Sequence, residues 1–301
     1  MIIPTYNCGK YLGRALNSVR VQEVADIEIF VVDDGSTDGT DRWLEEALVR
    51  DGRIVVLQGG HKGPNAARNL AISQARGGLI AFLDADDFWW PEKMLPQLAF
   101  HERNPDVSFS FTDYLHFDVS GRTHGTCFEY WSPPFSKSRC GEFSVIQDAE
   151  RAILASNTVG TSTVVATRAA LQNANGFATD LQSAADWKLW LKLANKGRVA
   201  VSCAVTMNYL MRSGSISENH SVRIAAMKEI VAAYEKCSDP ETRRAWRQAR
   251  ARIKVAEAEH LRLSGNHWSA AKAHLGAFLS NPGKRIARAG MSDIANSLFV
   301  R

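Results

Sequence analysis

An α/β fold, with a mostly parallel, doubly wound sheet and a C-terminal helical extension, is predicted by three observations. Apolar runs of strand length alternate with amphipathic helical stretches through the first third of the chain, the pattern of a parallel sheet with right-handed crossovers. Beyond Ser221 no strand signal remains and every periodic stretch reads as helix. The apolar run Leu79-Ile80-Ala81-Phe82-Leu83 passes directly into Asp84-Ala85-Asp86-Asp87, so a buried strand delivers three carboxylates to the sheet edge where open α/β folds bind ligands.

The elements follow in order. A short strand, Ile2-Ile3, enters a loop at Pro4-Thr5-Tyr6-Asn7, and the next helix puts Tyr11, Leu12, Ala15, Leu16 and Val19 on one face. Residues 27–32 form a second strand ending at Asp33-Asp34-Gly35-Ser36, followed by a helix bearing Trp43, Leu44, Ala47 and Leu48. Residues 54–57 are the third strand, and the loop Gly59-Gly60-His61-Lys62-Gly63-Pro64 leads into a helix with Ala67, Leu70 and Ala71 on its apolar face. Residues 79–83 are the fourth strand. The loops after these strands gather at one edge, which brings Tyr6, Asp34 and Asp86 together.

Pro91 starts a helix reaching about Asn104, and residues 107–112 form a strand. Residues 115–141, rich in Gly, Ser, Pro and aromatics, read as loops or a small hairpin. A helix at 142–155, a strand near 161–166, an amphipathic helix opened by Asp186 and ended by Lys196-Gly197, and a strand near 199–205 complete this part. In the tail, two amphipathic segments, 246–263 and 268–279, are separated by Ser264-Gly265-Asn266 and stopped by Asn281-Pro282-Gly283. One such pair does not make a repeat array, so the tail reads as a helical cap or docking module.

A chain of 301 residues can bury a sizeable core in one large domain or two, and its 45% apolar and 23% charged fractions are ordinary for a soluble globular protein. No apolar run is long enough to cross a membrane, and Met1-Ile2-Ile3-Pro4 opens without the features of a signal peptide. Cys8, Cys127, Cys140, Cys203 and Cys237 are scattered without a CxxC pair, so reduced thiols in a cytoplasmic protein are expected, with a Cys127–Cys140 pair as the weaker alternative. The net charge of +4 hides an asymmetry: residues 239–301 carry 12 Lys/Arg against 5 Asp/Glu. Such a basic helical tail is either simply solvated or meets a membrane surface or an acidic partner. No aromatic interleaving accompanies the charge, so no nucleic-acid contact is expected.

The acidic cluster is a solvated turn or a cation site. Unit charges about 4 Å apart interact by about 4 kcal/mol at an effective dielectric near 20, and either open water or a bound cation must offset that repulsion. Oxygen-only ligands select Mg²⁺ or Mn²⁺, ions that share their sites with substrate phosphates.

Four motifs occur in order within the first 90 residues: Ile2-Ile3-Pro4-Thr5-Tyr6-Asn7, Val31-Val32-Asp33-Asp34-Gly35-Ser36-Thr37-Asp38, Asn65-Ala66-Ala67-Arg68-Asn69 and Asp84-Ala85-Asp86-Asp87. In this order the chain resembles the family-2 inverting glycosyltransferases of GT-A fold, over about residues 1–217. The resemblance implies a GT-A domain over 1–221, with a nucleotide-binding half at about 1–113 and an acceptor half at about 114–221, and leaves 222–301 as the helical extension. It implies a metal-dependent transfer of a sugar, from a nucleoside diphosphate sugar such as a UDP-sugar, to a hydroxyl of a polysaccharide or lipid-linked glycan. The matching setting is cytoplasmic, peripheral at the inner face of the membrane, with the basic tail as the contact.

Residue by residue, the resemblance places Pro4 and Tyr6 at the nucleotide base, where an aromatic ring contributes about 1–3 kcal/mol by stacking. It gives Asp34 the uracil N3–H, a donor that a carboxylate suits, while Asp33 holds the loop or reaches the ribose. Arg68 pairs with Asp34 or reaches a phosphate. Asp84-Ala85-Asp86 matches the DxD pattern: Asp86 coordinates Mn²⁺ or Mg²⁺, Asp84 acts through water or on the ribose, and Ala85 lines the nucleotide. Residues two apart in an extended segment share a side, so both carboxylates can address one ion. Asp87 is an outer partner of the ion or a helix cap.

Inversion needs a base for the acceptor hydroxyl, and Asp186 in Asp186-Trp187-Lys188-Leu189-Trp190 stands where relatives carry Glu-Asp, here preceded by Ala185. Arg212 occupies a position where many relatives have His; it can bind phosphate but is a poor metal ligand, and His220 is the substitute. Trp89 and Trp90 are candidates for packing on the donor or acceptor sugar, with Phe88 or Trp89 equally read as plain core and Trp131 as an acceptor-side platform. Two rival readings remain: a nucleotidyltransferase, disfavoured because Pro4-Thr5-Tyr6-Asn7 lacks a Gly-rich basic loop, and a catalytically idle relative acting as a binding subunit.

Overall fold

The structure, a computed structural model, describes residues 1–136, 141–215 and 218–299. Cys140 lies outside them. The chain divides into two compact units, one of Met1–Glu150, Thr158–Asp180 and Ala185–Arg212, the other of Arg151–Asn157, Leu181–Ala184 and Ser213–Arg301.

The first unit begins with a parallel sheet in the order β1 (Ile2–Thr5), β2 (Ile29–Asp33) and β3 (Ile54–Gln58). β2 is the middle strand and every residue in it is buried, as a parallel strand covered on both faces requires. Its helices are α1 (Gly9–Arg20), α2 (Thr40–Arg50) and α3 (Pro64–Gln74). α1 buries Leu12, Ala15, Leu16 and Val19 on one stripe, each Leu or Val contributing about 1.5–3 kcal/mol. Cys8 offers α1 no side-chain cap; the amide of Gly9 is satisfied instead by Asp38 Oδ2 at 3.1 Å, from the loop after β2. α3 starts with Pro64 at its first position after Gly63 at φ 86°, a residue without Cβ where the chain turns left-handed.

The apolar run 79–83 changes partners midway. β4 (Leu79–Ala81) pairs antiparallel with β9 (Val165–Thr167), whereas Phe82 bridges to Ile2 and Leu83 N–H donates to the Ile2 carbonyl at 3.0 Å. The acids at 84–87 therefore follow the junction between two sheets, a topological switch point.

The second sheet runs β4-β9-β6-β10-β5, with β5 (Phe88–Trp89), β6 (Val107–Asp118) and β10 (Arg198–Met211); β7 (Thr123–Thr126) pairs with β6 and β8 (Ser144–Val145) with β10. β6 and β10 are parallel and the remaining pairs antiparallel. Between them lie α4 (Met94–Arg103), α5 (Cys127–Trp131), α6 (Ala149–Ser156), α7 (Arg168–Asn173) and α8 (Ala185–Lys196). α4 starts three residues after Pro91, where the Met94 amide donates to Gln22 Oε1. The predicted hairpin is β6–β7, and the small helix after it carries a capping box between Thr126 and Glu129.

Within the second unit, α9 (His220–Ala232), α10 (Pro240–Leu263), α11 (His267–Ser280) and α12 (Lys284–Phe299) follow one another. α10 is capped by Asp239 with Pro240 after it, and α11 by Asn266. α10 buries five alanines with Ile253 and Val255, and α11 buries Ala270, Ala271 and Ala277 with His274, so these buried faces are mostly small residues. Cys203 is disulfide-bonded while Cys8, Cys127 and Cys237 are free thiols, which overturns the expectation of five reduced cysteines and of a Cys127 bridge.

Candidate active site

The exits of β1 and β2 are tied together by side chains. Asn7 Oδ1 accepts the Thr37 amide at 2.7 Å, and the Asn7 amide donates to Ser36 Oγ at 2.9 Å. Asp33 Oδ1 accepts both the amide and the hydroxyl of Ser36, so Asp33 holds this turn. Asp34 is buried, and its two oxygens accept the amides of Lys62 (2.9 Å) and Gly63 (2.7 Å). A carboxylate has about four acceptor sites, so each oxygen of Asp34 keeps capacity for a further donor. Gly59 lies against this residue: a Cβ there would sit 2.6 Å from Asp34 Oδ1. Tyr6 is 47% exposed with its ring edge-on to His61, so it is a surface ring and not a core tyrosine. His61 Nδ1 lies 3.2 Å from the Asp34 carbonyl oxygen. Pro4 is buried inside β1, and Ala85 is buried among the acids.

The second group is built on arginines. Arg68, on α3, is buried and reaches Asp84 Oδ1 at 2.5 Å, not Asp34, with its guanidinium 5.3 Å from the Phe177 ring centre. Arg212 Nε lies 2.7 Å from Asp86 Oδ2, and Arg212 also donates to Cys8 Sγ. Each arginine takes one oxygen of its acid, Oδ1 of Asp84 and Oδ2 of Asp86. Burial, then the charge of Asp84, raises the Asp86 carboxyl above the ordinary carboxylate range, against the pull of Arg212. Asp87 is fully enclosed and is neither a cap nor an open ligand. It accepts Ser162 Oγ at 2.6 Å and the Leu210 amide at 3.2 Å, tying this loop to β10, and burial pushes its pKa well up.

Asp186 stands in the first turn of α8 and accepts the Thr161 hydroxyl at 3.0 Å and the Trp187 amide at 2.8 Å. Burial raises its pKa, with Arg68 lowering and Asp84 raising it, which places Asp186 in the same electrostatic neighbourhood as the acid–arginine cluster. A carboxylate moved upward from its usual range is a better proton acceptor.

The residues that sequence reading missed are in the tight turn Thr161–Thr163. Thr161 holds Asp186; Ser162 Oγ donates to Asp87 and accepts the Asp84 amide at 3.0 Å; and the Ser162 carbonyl accepts Trp89 Nε1 at 2.7 Å. The Thr163 carbonyl accepts from Lys93, whose buried amine is lowered to a pKa of about 7. Three consecutive hydroxyls, Thr161-Ser162-Thr163, were the available signal, hidden because the segment reads as the start of a strand. Trp89 is 2% exposed and has no face open to a sugar, so its expected role is corrected to core; Trp90 remains 40% exposed, anchored to Asn208. Trp131 packs against Tyr130, and His220 stacks on His260 within the helical unit.

The cluster fits a hard divalent cation in part. Two carboxylates two residues apart each keep an oxygen outside their arginine pair, and no group of three His, Cys, Asp or Glu side chains suited to a metal exists among the described residues. A substrate diphosphate and water would have to complete such a coordination shell.

A sequence model of Glycosyl transferase family 2 matches residues 1–149. The Escherichia coli UDP-Glc:alpha-D-GlcNAc-diphosphoundecaprenol beta-1,3-glucosyltransferase WfaP is 31% identical over 224 residues, 73% of this chain and 79% of that protein. Against two longer relatives, the match spans 30% of their length. Among solved structures, S. aureus TarS 1-349 in complex with UDP-GlcNAc superposes with a TM-score of 0.65 at 22% identity, covering 98% of this chain and 88% of that one. The mannosyltransferase PcManGT from Pyrobaculum calidifontis, in complex with GDP-Man and Mn²⁺, gives a TM-score of 0.64 at 19% identity, covering 99% and 80%.

Proposed function

The chain belongs to the family-2 glycosyltransferases, and on that premise we propose that it transfers a sugar from a UDP-sugar to a hydroxyl of a lipid-linked or polysaccharide glycan, with inversion and with Asp186 as base. The observation that carries this reading is the linked cluster of Asp84, Asp86 and Asp186 with Arg68 and Arg212. Tyr6 offers its exposed ring to the base, and Asp34, held by two amides, accepts the uracil N3–H on its remaining lone pairs. Arg68 and Arg212 present guanidinium groups to the diphosphate. Asp186 takes the acceptor proton, oriented by Thr161.

Asp86 and Asp84 would hold Mn²⁺ or Mg²⁺, as the Mn²⁺ in the PcManGT complex suggests by analogy. Bound there, the ion supplies positive charge to the departing diphosphate. Arg212 would then share Asp86 with the ion. Relatives named for a diphosphoundecaprenol-linked acceptor support a lipid-linked acceptor, and with it a peripheral position at the inner face of the membrane. No helix among the described residues is long and apolar enough to cross one.

A catalytically idle relative is the second reading, favoured by Ala185 before Asp186 and by the guanidinium already seated on Asp86. Calorimetric UDP titration of the wild type and Asp86→Ala, with and without Mn²⁺, tests the site. Metal-dependent UDP binding is expected only in the wild type, and equal binding in all four titrations sinks the assignment of Asp86. Release of free UDP from a UDP-sugar, not of pyrophosphate, separates transfer from nucleotidyl chemistry, and its absence with every donor favours the idle subunit.

A further inference from the structure

The helix α11 is inside out. Its buried positions are Ala270, Ala271, His274 and Ala277, while Trp268 (58% exposed), Leu275 (59%) and Leu279 (74%) face outward. Trp268, Lys272, Leu275 and Leu279 are spaced by four, three and four residues, so they form one stripe along the helix. Three of the larger apolar residues of this helix therefore lie on the solvent side. Three large apolar side chains in line on one helix are not the scattered exposure that surfaces ordinarily show.

Charge selects what covers this stripe. After Glu259 the sequence holds a single acid, Asp293, and that one is fully buried against His274 at 2.7 Å. Six basic residues, Arg262, Lys272, Lys284, Arg285, Arg288 and Arg301, share that stretch of sequence with it, and Lys272 and Arg288 are exposed. Lys272 is on the stripe itself, its amine 5.5 Å from the Trp268 ring centre. On α12 the exposed residues Arg288 and Met291 repeat the basic and apolar mixture one turn apart. An aromatic ring, aliphatic side chains and cations without acids are the composition of a helix lying in an anionic lipid interface.

We propose that the outer face of α11, through Trp268, Leu275 and Leu279 with Lys272, seats the protein on an anionic phospholipid surface. The proposal deepens the inner-membrane position inferred above by naming the surface that makes the contact, and its test uses vesicles without any acceptor, so its failure leaves sugar transfer untouched.

The experiment is flotation of the full chain with phosphatidylcholine vesicles and with vesicles of equal parts phosphatidylcholine and phosphatidylglycerol. The wild type should float with the anionic vesicles only, less so as salt is raised. The triple variant Trp268→Ser, Leu275→Ser, Leu279→Ser should partition at least about tenfold less, and Lys272→Glu a few-fold less. Both should keep the wild-type melting temperature and UDP binding. A wild type that stays with the aqueous fraction overturns the proposal, as does a folded triple variant that floats like the wild type. A concentration-dependent dimer that the triple variant makes monomeric also overturns it, because a second copy then covers the stripe.

Discussion

Asp33 and Asp34, at the end of β2, are held by Ser36 and by the amides of Ser36, Lys62 and Gly63, whereas Asp84 and Asp86, beyond the junction of the two sheets, are held by the guanidinium groups of Arg68 and Arg212. The first set of partners is part of the chain path and cannot leave without unfolding a turn. The second set ends long side chains that can change rotamer without moving the backbone, Arg212 more readily than the buried Arg68. A preorganised wall suits a constant ligand such as a nucleotide base, because its dipoles are already oriented when the ligand arrives. Exchangeable cations suit a place where charge arrives and departs with each turnover, because the acids stay compensated in between. Asp186 stands at the second region but is held in the manner of the first, by a hydroxyl and an amide.

The largest effect is expected where the exchangeable region does chemistry. Asp186→Asn keeps the shape and removes the proposed proton acceptor, so kcat should fall by about 10²–10⁴ with donor affinity unchanged. Since burial raises the Asp186 carboxyl, wild-type kcat should climb with pH through a value above the ordinary carboxylate range and then level. Thr161→Val removes a hydrogen bond that favours the ionised form, so that limb should move to higher pH, and Thr161→Ser should return it. Near-normal turnover of Asp186→Asn, or a pH limb indifferent to Thr161→Val, would assign the base elsewhere.

The fixed region should break in stability before it breaks in chemistry. In Gly59→Ala the new Cβ meets Asp34 Oδ1 at 2.6 Å and the Asp34 backbone Cα at 3.2 Å, and a rigid wall cannot give way. Overpacking of this kind costs about 1–3 kcal/mol, readable as a lower denaturant midpoint, together with weaker UDP binding. An unchanged midpoint would show that the β2 exit relaxes as freely as the arginine side.

The difference between the regions also sets what the sequence discloses. Strands β1 to β3, their helices and the order of the acids follow from local periodicity and short motifs, because in a parallel α/β unit each element packs on its sequence neighbours. The long-range partners do not. Arg68 seats on Asp84, 16 residues away, and Arg212 on Asp86, 126 residues away, and neither spacing has a local signature. Thr161–Thr163 organises Asp84, Asp87 and Asp186 from a segment whose composition reads as strand. Trp89, which the sequence leaves open between core and a sugar-packing ring, is core because its indole N–H meets the Ser162 carbonyl and the Lys93 amine lies over its ring. Burial of α11's small face could not be read from periodicity, which gives a stripe but not which side meets the neighbouring helices.

The smallest effect is the one that separates the two regions most directly. If Arg212 is an exchangeable counter-ion, it competes with a divalent cation for Asp86, and removing it should help the metal bind before any nucleotide is present. The pair is about one-fifth exposed on each side, so solvent screening limits the competition to a factor of about ten, or about 1.4 kcal/mol. Arg212→Ala should therefore bind Mn²⁺ about tenfold more tightly than the wild type in calorimetry without nucleotide, while binding UDP alone more weakly because a phosphate partner is lost. Arg212→His should gain Mn²⁺ affinity too, since a neutral imidazole is itself a ligand. Equal Mn²⁺ affinity in all three proteins would mean that Arg212 is as fixed a part of the site as the amides on Asp34, and that the two regions do not differ in kind.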